Sequence, residues 1–274
     1  MMKKKKNGYE LKYFCSKKKY YQTEISFLDI FCSVKYIQFL GKSKYSNFMI
    51  KIPYFTKHIN LDLSADALKQ SFSKRVRAKI NKASKEGISF NLFNLDSDLS
   101  VKEYIDYCNE HLKSKNLLYR LSEKHVTSFI DNYVVTYASY GSRKLVMHGY
   151  FVDFESKTVY AHESASQFRT LDRADREISR DLISRANNFL HYQDMLYFQS
   201  LGMKIYDLGG YAIDTTDVSI LNINRFKDGF RGELVEQSHY VSYIFYLINC
   251  VYHQIKPCVV KKRMLTIRNM LITF

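Results

Sequence analysis

Three polar residues inside an aromatic stretch are the first candidates for chemistry. Asn187, His191 and Asp194 fall at i, i+4 and i+7, so a helix over this segment carries them as one polar stripe. Polar stripes on buried helices often face a cleft, where an imidazole titrating near ~6.5 suits proton transfer. The plainer reading is a satisfied core histidine with a surface carboxylate, and both readings stand. Asp207 follows Tyr206 at the end of a short apolar segment, and Gly209 and Gly210 behind it let a ligand approach the backbone. A carboxylate capping its own turn is the alternative there.

A second group of residues carries charge. Ser64 is a good N-cap, Asp66 sits in the first turn, and Leu68, Phe72, Val76 and Ile80 recur every four residues, which predicts one helix ending at Gly87. Its other faces bear Lys69, Lys74, Arg75, Arg77, Lys79, Lys82 and Lys85. Arg75, Arg77 and Lys79 are the candidates for attracting an anionic donor, against the alternative of a solvated face. The whole chain agrees in sign: 42 Lys and Arg against 27 Asp and Glu leave a net charge of +15, which favours an anionic partner.

Other classes are disfavoured. The five cysteines are scattered, without CxxC pairs or neighbouring histidines at ligand spacing, so no metal centre is expected and a reducing cytoplasm is the simplest home. The basic start MMKKKKNGYELKYF is followed by no apolar stretch, so no cleavable export signal is expected. The apolar run from Tyr243 to Tyr252 falls well short of the ~20 residues of a membrane-spanning helix. From Gln237 to Phe274 no acidic residue occurs, and Lys256, Lys261, Lys262, Arg263 and Arg268 alternate with apolar residues. That tail reads either as an amphipathic helix resting on an anionic inner leaflet or as one packed on the protein.

These residues need a scaffold. With 274 residues, 46% hydrophobic content and 15% aromatic, a packed core is affordable. Only two prolines occur and no low-complexity linker divides the chain, so three regions are expected: an N-terminal layer with the basic helix (1–87), a core (88–246) and a basic tail (247–274). Residues 47–63 alternate as one or two strands. A strand at 88–92, helices near 101–113 and 122–134, strands at 145–154 and 158–164, a helix at 188–201 and a strand at 204–208 follow, then a loop and a strand pair around 233–246. This order predicts a mixed α/β sheet with a central strand-helix-strand unit.

Three segments carry a family likeness. NNFLHYQDMLYFQSLGMKIYDLGG (187–210) is similar to the FemAB-type motif of a "LLHW" helix, a helix-ending Gly and a "YDxGG" strand end. RFKDGFRGE (225–233) resembles that family's "FKxxFG" element, and SKRVRAKINKASKEGI its Arg/Lys-rich helix. The resemblance, over roughly Ser64 to Tyr246, implies a GNAT-like core that transfers an acyl or aminoacyl group from acyl-CoA, acyl carrier protein or aminoacyl-tRNA to an amine, with no resident cofactor. It implies that Lys227 supports the developing oxyanion or holds the donor's phosphate, with Phe226 and Phe230 packing it in place. His191 or Asp207 would then deprotonate the amine, and Asn187, Asn188, Tyr206, Gly209 and Gly210 would line the site.

Two departures refine the expectation. The chain has room for one complete GNAT-like core with a reduced N-terminal part, and it has no long charged helical hairpin, which favours a nucleotide- or lipid-linked amino sugar of surface polysaccharide over a peptidoglycan bridge as acceptor. The stretch QFRTLDRADREISRDLISRA lacks a Gly-rich pyrophosphate loop, although Arg169, Arg173 and Arg176 remain to meet a phosphate. A non-catalytic RNA-binding protein on the same fold is the competing class.

Overall fold

The computed structural model describes residues 2–6, 9–13, 31, 34–38, 46–127, 130–170, 178–244 and 246–247. Its strands are β1 (Met2–Lys6), β2 (Tyr9–Tyr13), β3 (Val34–Gln38), β4 (Ile50–Asn60), β5 (Ser89–Phe93), β6 (Tyr133–Tyr140), β7 (Arg143–Asp153), β8 (Thr158–Ser166), β9 (Ile205–Gly210) and β10 (Glu233–Val241). The helices are α1 (Ala65–Ser71), α2 (Lys74–Lys85), α3 (Asp98–Ser114), α4 (Glu123–Thr127), α5 (Arg180–Ser200) and α6 (Val218–Asp228). Seven strands in the order β10-β4-β9-β8-β7-β6-β5 form the body of a mixed sheet, and β3, β2 and β1 extend it beyond β10. Within the body only β8 and β9 run parallel, joined by α5 as the crossover.

Two apolar clusters sandwich this sheet. Beneath α5, residues Leu190, Met195 and Phe198 meet Val146, Tyr150, Val152, Val159 and Tyr206, and α1, α2 and α6 add Leu68, Phe72, Val76, Ile80 and Phe226. On the opposite face α3 lays Val101, Tyr104, Ile105 and Cys108 onto Tyr133, Val135, Met147 and Ala165. Alternation along each strand sorts these sets: Tyr206 points to the α5 face, so Asp207 points to the other.

Several expected elements differ. The helix from Ser64 is two, because Phe72 is extended (ψ 160) and Ser73 caps a fresh helix through the Val76 N–H. The break is held from outside, by Ser73 N–H donating to Gly229 O at 2.9 Å. The helix expected over 122–134 is only the short α4; Tyr-Val-Val-Thr-Tyr, β-branched and aromatic, opens β6 instead. α5 starts earlier than expected, at Arg180, where Ser179 accepts from Leu182 N–H. The loop before residue 233 contains α6, capped by Asp217 accepting from Ser219 and Ile220 N–H. The strand pair over 233–246 is a single strand, β10, because β3 and β4 already occupy its two edges. Among the described residues no helix is long and apolar enough to cross a membrane. The amphipathic tail beyond Leu247 lies outside the described residues, as do Arg173 and Arg176.

Gly232 marks a close approach at the start of β10, where a Cβ would lie 2.7 Å from His58 O and 3.1 Å from Ile59 Cγ1. The first of these is backbone in a central strand and has little freedom to retreat. Gly232→Ala is therefore expected to lower stability by about 1–3 kcal/mol, read from urea unfolding monitored by circular dichroism.

Candidate functional site

β8 and β9 pair over three rows only, Thr158↔Ile205, Val159↔Tyr206 and Tyr160↔Asp207, although β8 runs on to Ser166 and β9 to Gly210. Beyond that row β8 stays with β7 and β9 stays with β4, so the two strands part into a fork. Gly209 adopts φ +75, where a side chain would be strained, and a Cβ there would sit 3.4 Å from Ala161 O and 3.8 Å from Lys227 Nζ. Lys227 therefore stands at the fork. Its ammonium is buried and donates to Gly210 O at 2.6 Å. Burial pushes its pKa down to about 8, with the Asp207 carboxylate acting against that shift. Phe226 packs on the rings of His191 and Phe230, which fixes the last turn of α6 against the α5 face.

The α5 face of the site is a connected polar network in which only Asp194 Oδ1, among its members named here, is buried without a hydrogen-bond partner. His191 Nδ1 lies 2.7 Å from Tyr206 OH, Tyr206 OH lies 2.7 Å from Tyr150 OH, and Tyr150 donates to Asp194 Oδ2. His148 completes it, with Nδ1 2.8 Å from Asp194 Oδ2 and Nε2 2.9 Å from Asn187 Oδ1. The stripe of Asn187, His191 and Asp194 is thus real, but it meets strand side chains rather than an open cleft. His191 is 4% exposed, and burial, helped by the His148 and Lys227 charges, holds its imidazole well below its usual range. Such a group is a poor proton acceptor. Asn188 donates to Ser184 O within its own helix, at 2.7 Å, and so serves α5 itself.

No metal centre follows from the sequence spacing, yet the fold gathers His148, His191 and Asp194 so that one ligand atom from each lies within 4.8 Å of the others. Both ring nitrogens of His148 and the Nδ1 of His191 are already engaged by protein partners, so the donor set fits a hydrogen-bonded core better than an ion.

On the opposite face, Asp207 is 2% exposed and surrounded by donors. Oδ1 accepts from the Thr56 hydroxyl and from Gly209 N–H at 2.7 Å, while Oδ2 lies 3.2 Å from His58 Nε2 and accepts from Gln237 Nε2 at 3.4 Å. Burial raises the Asp207 pKa, but the His58 bond and charge, the Thr56 hydroxyl and the Gly209 N–H outweigh it, and the net shift is downward. Further along β8, Glu163 is buried and its Oε1 has no hydrogen-bond partner. Burial pushes this carboxyl up to about 8, with the Lys115 ammonium pulling the other way. It stands opposite Gly149, the residue whose missing side chain lets the Tyr104 and Tyr133 hydroxyls reach the sheet. Thr56, His58, His148, Tyr150 and Glu163 escaped the sequence reading, because alternating strand residues resemble any half-buried strand until their neighbours are known.

The basic helix divides in role. Arg77 donates to Gln70 O at 2.7 Å and Phe72 O at 2.8 Å, closing the end of α1, so its guanidinium is structural. Lys79 donates to Ser184 on α5 at 2.8 Å, and burial lowers its pKa. Arg75 is exposed, as is Arg169 after β8.

No family model matches the sequence, and no curated protein sequence does. Among solved structures the chain is similar to FemX, with a TM-score of 0.54 at 14% identity over 68% of this chain and 61% of that one. It is similar also to L-PGS from Bacillus licheniformis, with a TM-score of 0.53, 12% identity and coverage of 77% and 68%. The C-terminal domain of a putative lysylphosphatidylglycerol synthetase from Agrobacterium fabrum gives a TM-score of 0.52 at 10% identity, with the same coverage. The chain thus spans about three fifths of the length of FemX. At these identities the likeness establishes the fold alone, a mixed α/β architecture shared with FemX and L-PGS.

The buried Glu163 makes stability depend on pH. Its folded pKa of about 8 lies well above the ordinary value of a glutamate carboxyl, so the folded state binds the proton more tightly. Stability is then greatest below the unfolded value and falls as pH rises through about 8. Melting temperatures measured from pH 5 to 9 are expected to fall more steeply for the native chain than for Glu163→Gln.

Proposed function

We propose that this chain is an N-acyltransferase that moves an acyl or aminoacyl group from an activated donor to an amine of a cell-envelope precursor. The observation that carries this reading is the Lys227 ammonium buried at the β8–β9 fork, where the edges of the two strands part and no longer pair with each other. A donor laid between those edges finds strand-like hydrogen-bonding groups on both sides, and its carbonyl oxygen can turn toward Lys227. A positive group held in a dry site and aimed at developing negative charge is the main requirement for acyl transfer.

The reaction needs no covalent intermediate. The amine nitrogen bonds to the donor's carbonyl carbon, the C–O or C–S bond to the carrier breaks with its electron pair leaving on that atom, and the proton lost by nitrogen is passed on. Exposed Arg75, with Lys74, Lys82 and Lys85 on the same basic helix, offers the charge that would draw in a nucleotide-bearing donor. One of the similar structures bears a name that describes an aminoacylated lipid, lysylphosphatidylglycerol, and we take this to favour an aminoacyl donor such as aminoacyl-tRNA over acyl-CoA or acyl carrier protein. The absence of a glycine-rich pyrophosphate loop between β8 and α5 points the same way. For the acceptor we favour the amino group of a nucleotide- or lipid-linked sugar, with a peptidoglycan stem peptide as the second choice.

The test offers purified protein charged tRNAs, acyl-CoAs and acyl carrier proteins together with amino-sugar and muropeptide acceptors, and reads mass gain on the acceptor. Transfer to one acceptor names the reaction. No transfer, with tRNA binding that weakens steeply in salt, would instead identify a non-catalytic RNA-binding protein. On the pair that reacts, Lys227→Met is expected to lower kcat by about 10²–10³-fold with an unchanged melting profile, the loss typical of one oxyanion donor.

A further inference from the structure

The fork has a direction. β8 and β9 run parallel and part after the Tyr160↔Asp207 row, so the gap opens toward their C-terminal ends. β4 is antiparallel to β9, and β10 is antiparallel to β4, so the start of β4 and the end of β10 lie at that same end of the sheet. From the Thr56↔Gly210 row β4 continues with β10 to the Ile50↔Val241 row, on the order of 20 Å at about 3.4 Å per residue. The corner formed by these two strands stands out beyond the fork.

That corner is apolar on its outside. Met49 and Ser242, next to the last row, are buried, while Phe48 and Tyr243, one residue further, are 59% and 55% exposed. The chain then makes a helical turn, with Tyr246 N–H donating to Ser242 O at 2.9 Å. In such a turn positions 243, 246 and 247 share a face with 244 beside them, so Tyr243, Ile244, Tyr246 and Leu247 form one patch. All four are exposed. Large apolar side chains gathered on a surface mark a place where something docks.

The charges around the corner select the partner. From Ile30 to Leu61 no acidic residue occurs, while Lys35, Lys42, Lys44 and Lys51 do; from Gln237 to Phe274 none occurs, against five Lys and Arg. β10 joins these two stretches, pairing Val241 with Ile50 on one edge and with Lys35 on the other. Glu236 is engaged by Lys51 in an ion pair at 3.3 Å. Asp214 and Asp217 belong to the loop after β9, where Asp217 caps α6.

We propose that this corner docks the chain on an anionic phospholipid bilayer, with Phe48, Tyr243, Ile244, Tyr246 and Leu247 entering the headgroup region and the surrounding cations meeting lipid phosphates. Aromatic and aliphatic side chains beside lysines suit that boundary, where rings sit among headgroups and positive charge is drawn by anionic lipid. A second copy of the chain fits less well, because it brings like charges together. RNA meets the cations but leaves the aliphatic patch in water. Docked in this way, the fork opens toward the bilayer. The docking does not rest on the acyl-transfer reading, and its test needs neither donor nor acceptor.

The protein contains no tryptophan, so a single introduced one reports its own surroundings. In the full chain, Leu247→Trp is expected to shift its emission to the blue when vesicles of phosphatidylglycerol and phosphatidylethanolamine are added. Leu99→Trp is the control: Leu99 is 80% exposed at the start of α3, whose opposite end is tied to Ser166 at the fork end through His111, and its emission is expected to stay unchanged. Vesicles of phosphatidylcholine alone are expected to bind about 10-fold more weakly or worse, and salt to weaken binding to the anionic ones. Tyr243→Ser with Tyr246→Ser is expected to lower vesicle binding about 10-fold or more, with melting unchanged. No blue shift in Leu247→Trp, an equal shift in Leu99→Trp, or equal binding to phosphatidylcholine overturns the proposal. An emission of Leu247→Trp that is already blue without vesicles and moves to the red as a dimer dissociates on dilution overturns it too, since a second copy then covers the patch.

Discussion

The parting of β8 from β9 is the constraint on which the site depends. β9 is gripped along its other edge by β4, but that pairing slips by one residue between Thr56 and His58, and Gly209 takes up the slip at positive φ. The slip bends the end of β9 toward β4 while β8 continues beside β7. Side chains take up backbone groups that this parting frees: Lys227 donates to Gly210 O, Thr56 donates to Gly209 O, and Gly209 N–H donates to Asp207 Oδ1, the carboxylate that also holds His58.

Both faces of the sheet bury polar side chains. Beneath α5, five side chains from Asn187 through His148, Asp194 and Tyr150 to Tyr206 bind one another and end at His191. An unpaired buried polar group costs about 1–3 kcal/mol, so a connected network of this kind locks α5 in one rotation against β7 and β9. That rigidity reaches the site because Tyr206 immediately precedes Asp207. Spare hydrogen-bonding capacity remains on both faces: Asp194 Oδ1 in the α5-face network, and Glu163 Oε1 and Gln237 Oε1 on the α3 face, are buried without a hydrogen-bond partner. Unsatisfied groups beside a fork are where a substrate can supply the missing bonds.

Charge acts on a longer scale. A net +15 is too large to be a local feature, and the exposed cations of α2 concentrate part of it beside α5. Not every cation in that run is available, since Arg77 closes α1 and Lys79 bonds Ser184. The remainder form an electrostatic approach to the sheet rather than a fitted pocket.

By itself the sequence determined the fold class and the crossover of helix and strand around residues 187–210, and it singled out Asp207, Gly209, Gly210 and Lys227 as candidates, because these follow from local periodicity, glycine placement and short motifs. It misplaced what depends on partners. Ser64–Lys85 broke into two helices because Gly229, far along the chain, accepts the Ser73 N–H; 133–140 became a strand because β5 and β7 offered edges to it. His191 looked like a base because its spacing was visible and its burial was not. Only the tertiary structure set His58 against Asp207 and Glu163 opposite Gly149, since strand register is decided by contacts between residues far apart in sequence, and a histidine acquires an orienting carboxylate only when two strands meet in one particular alignment.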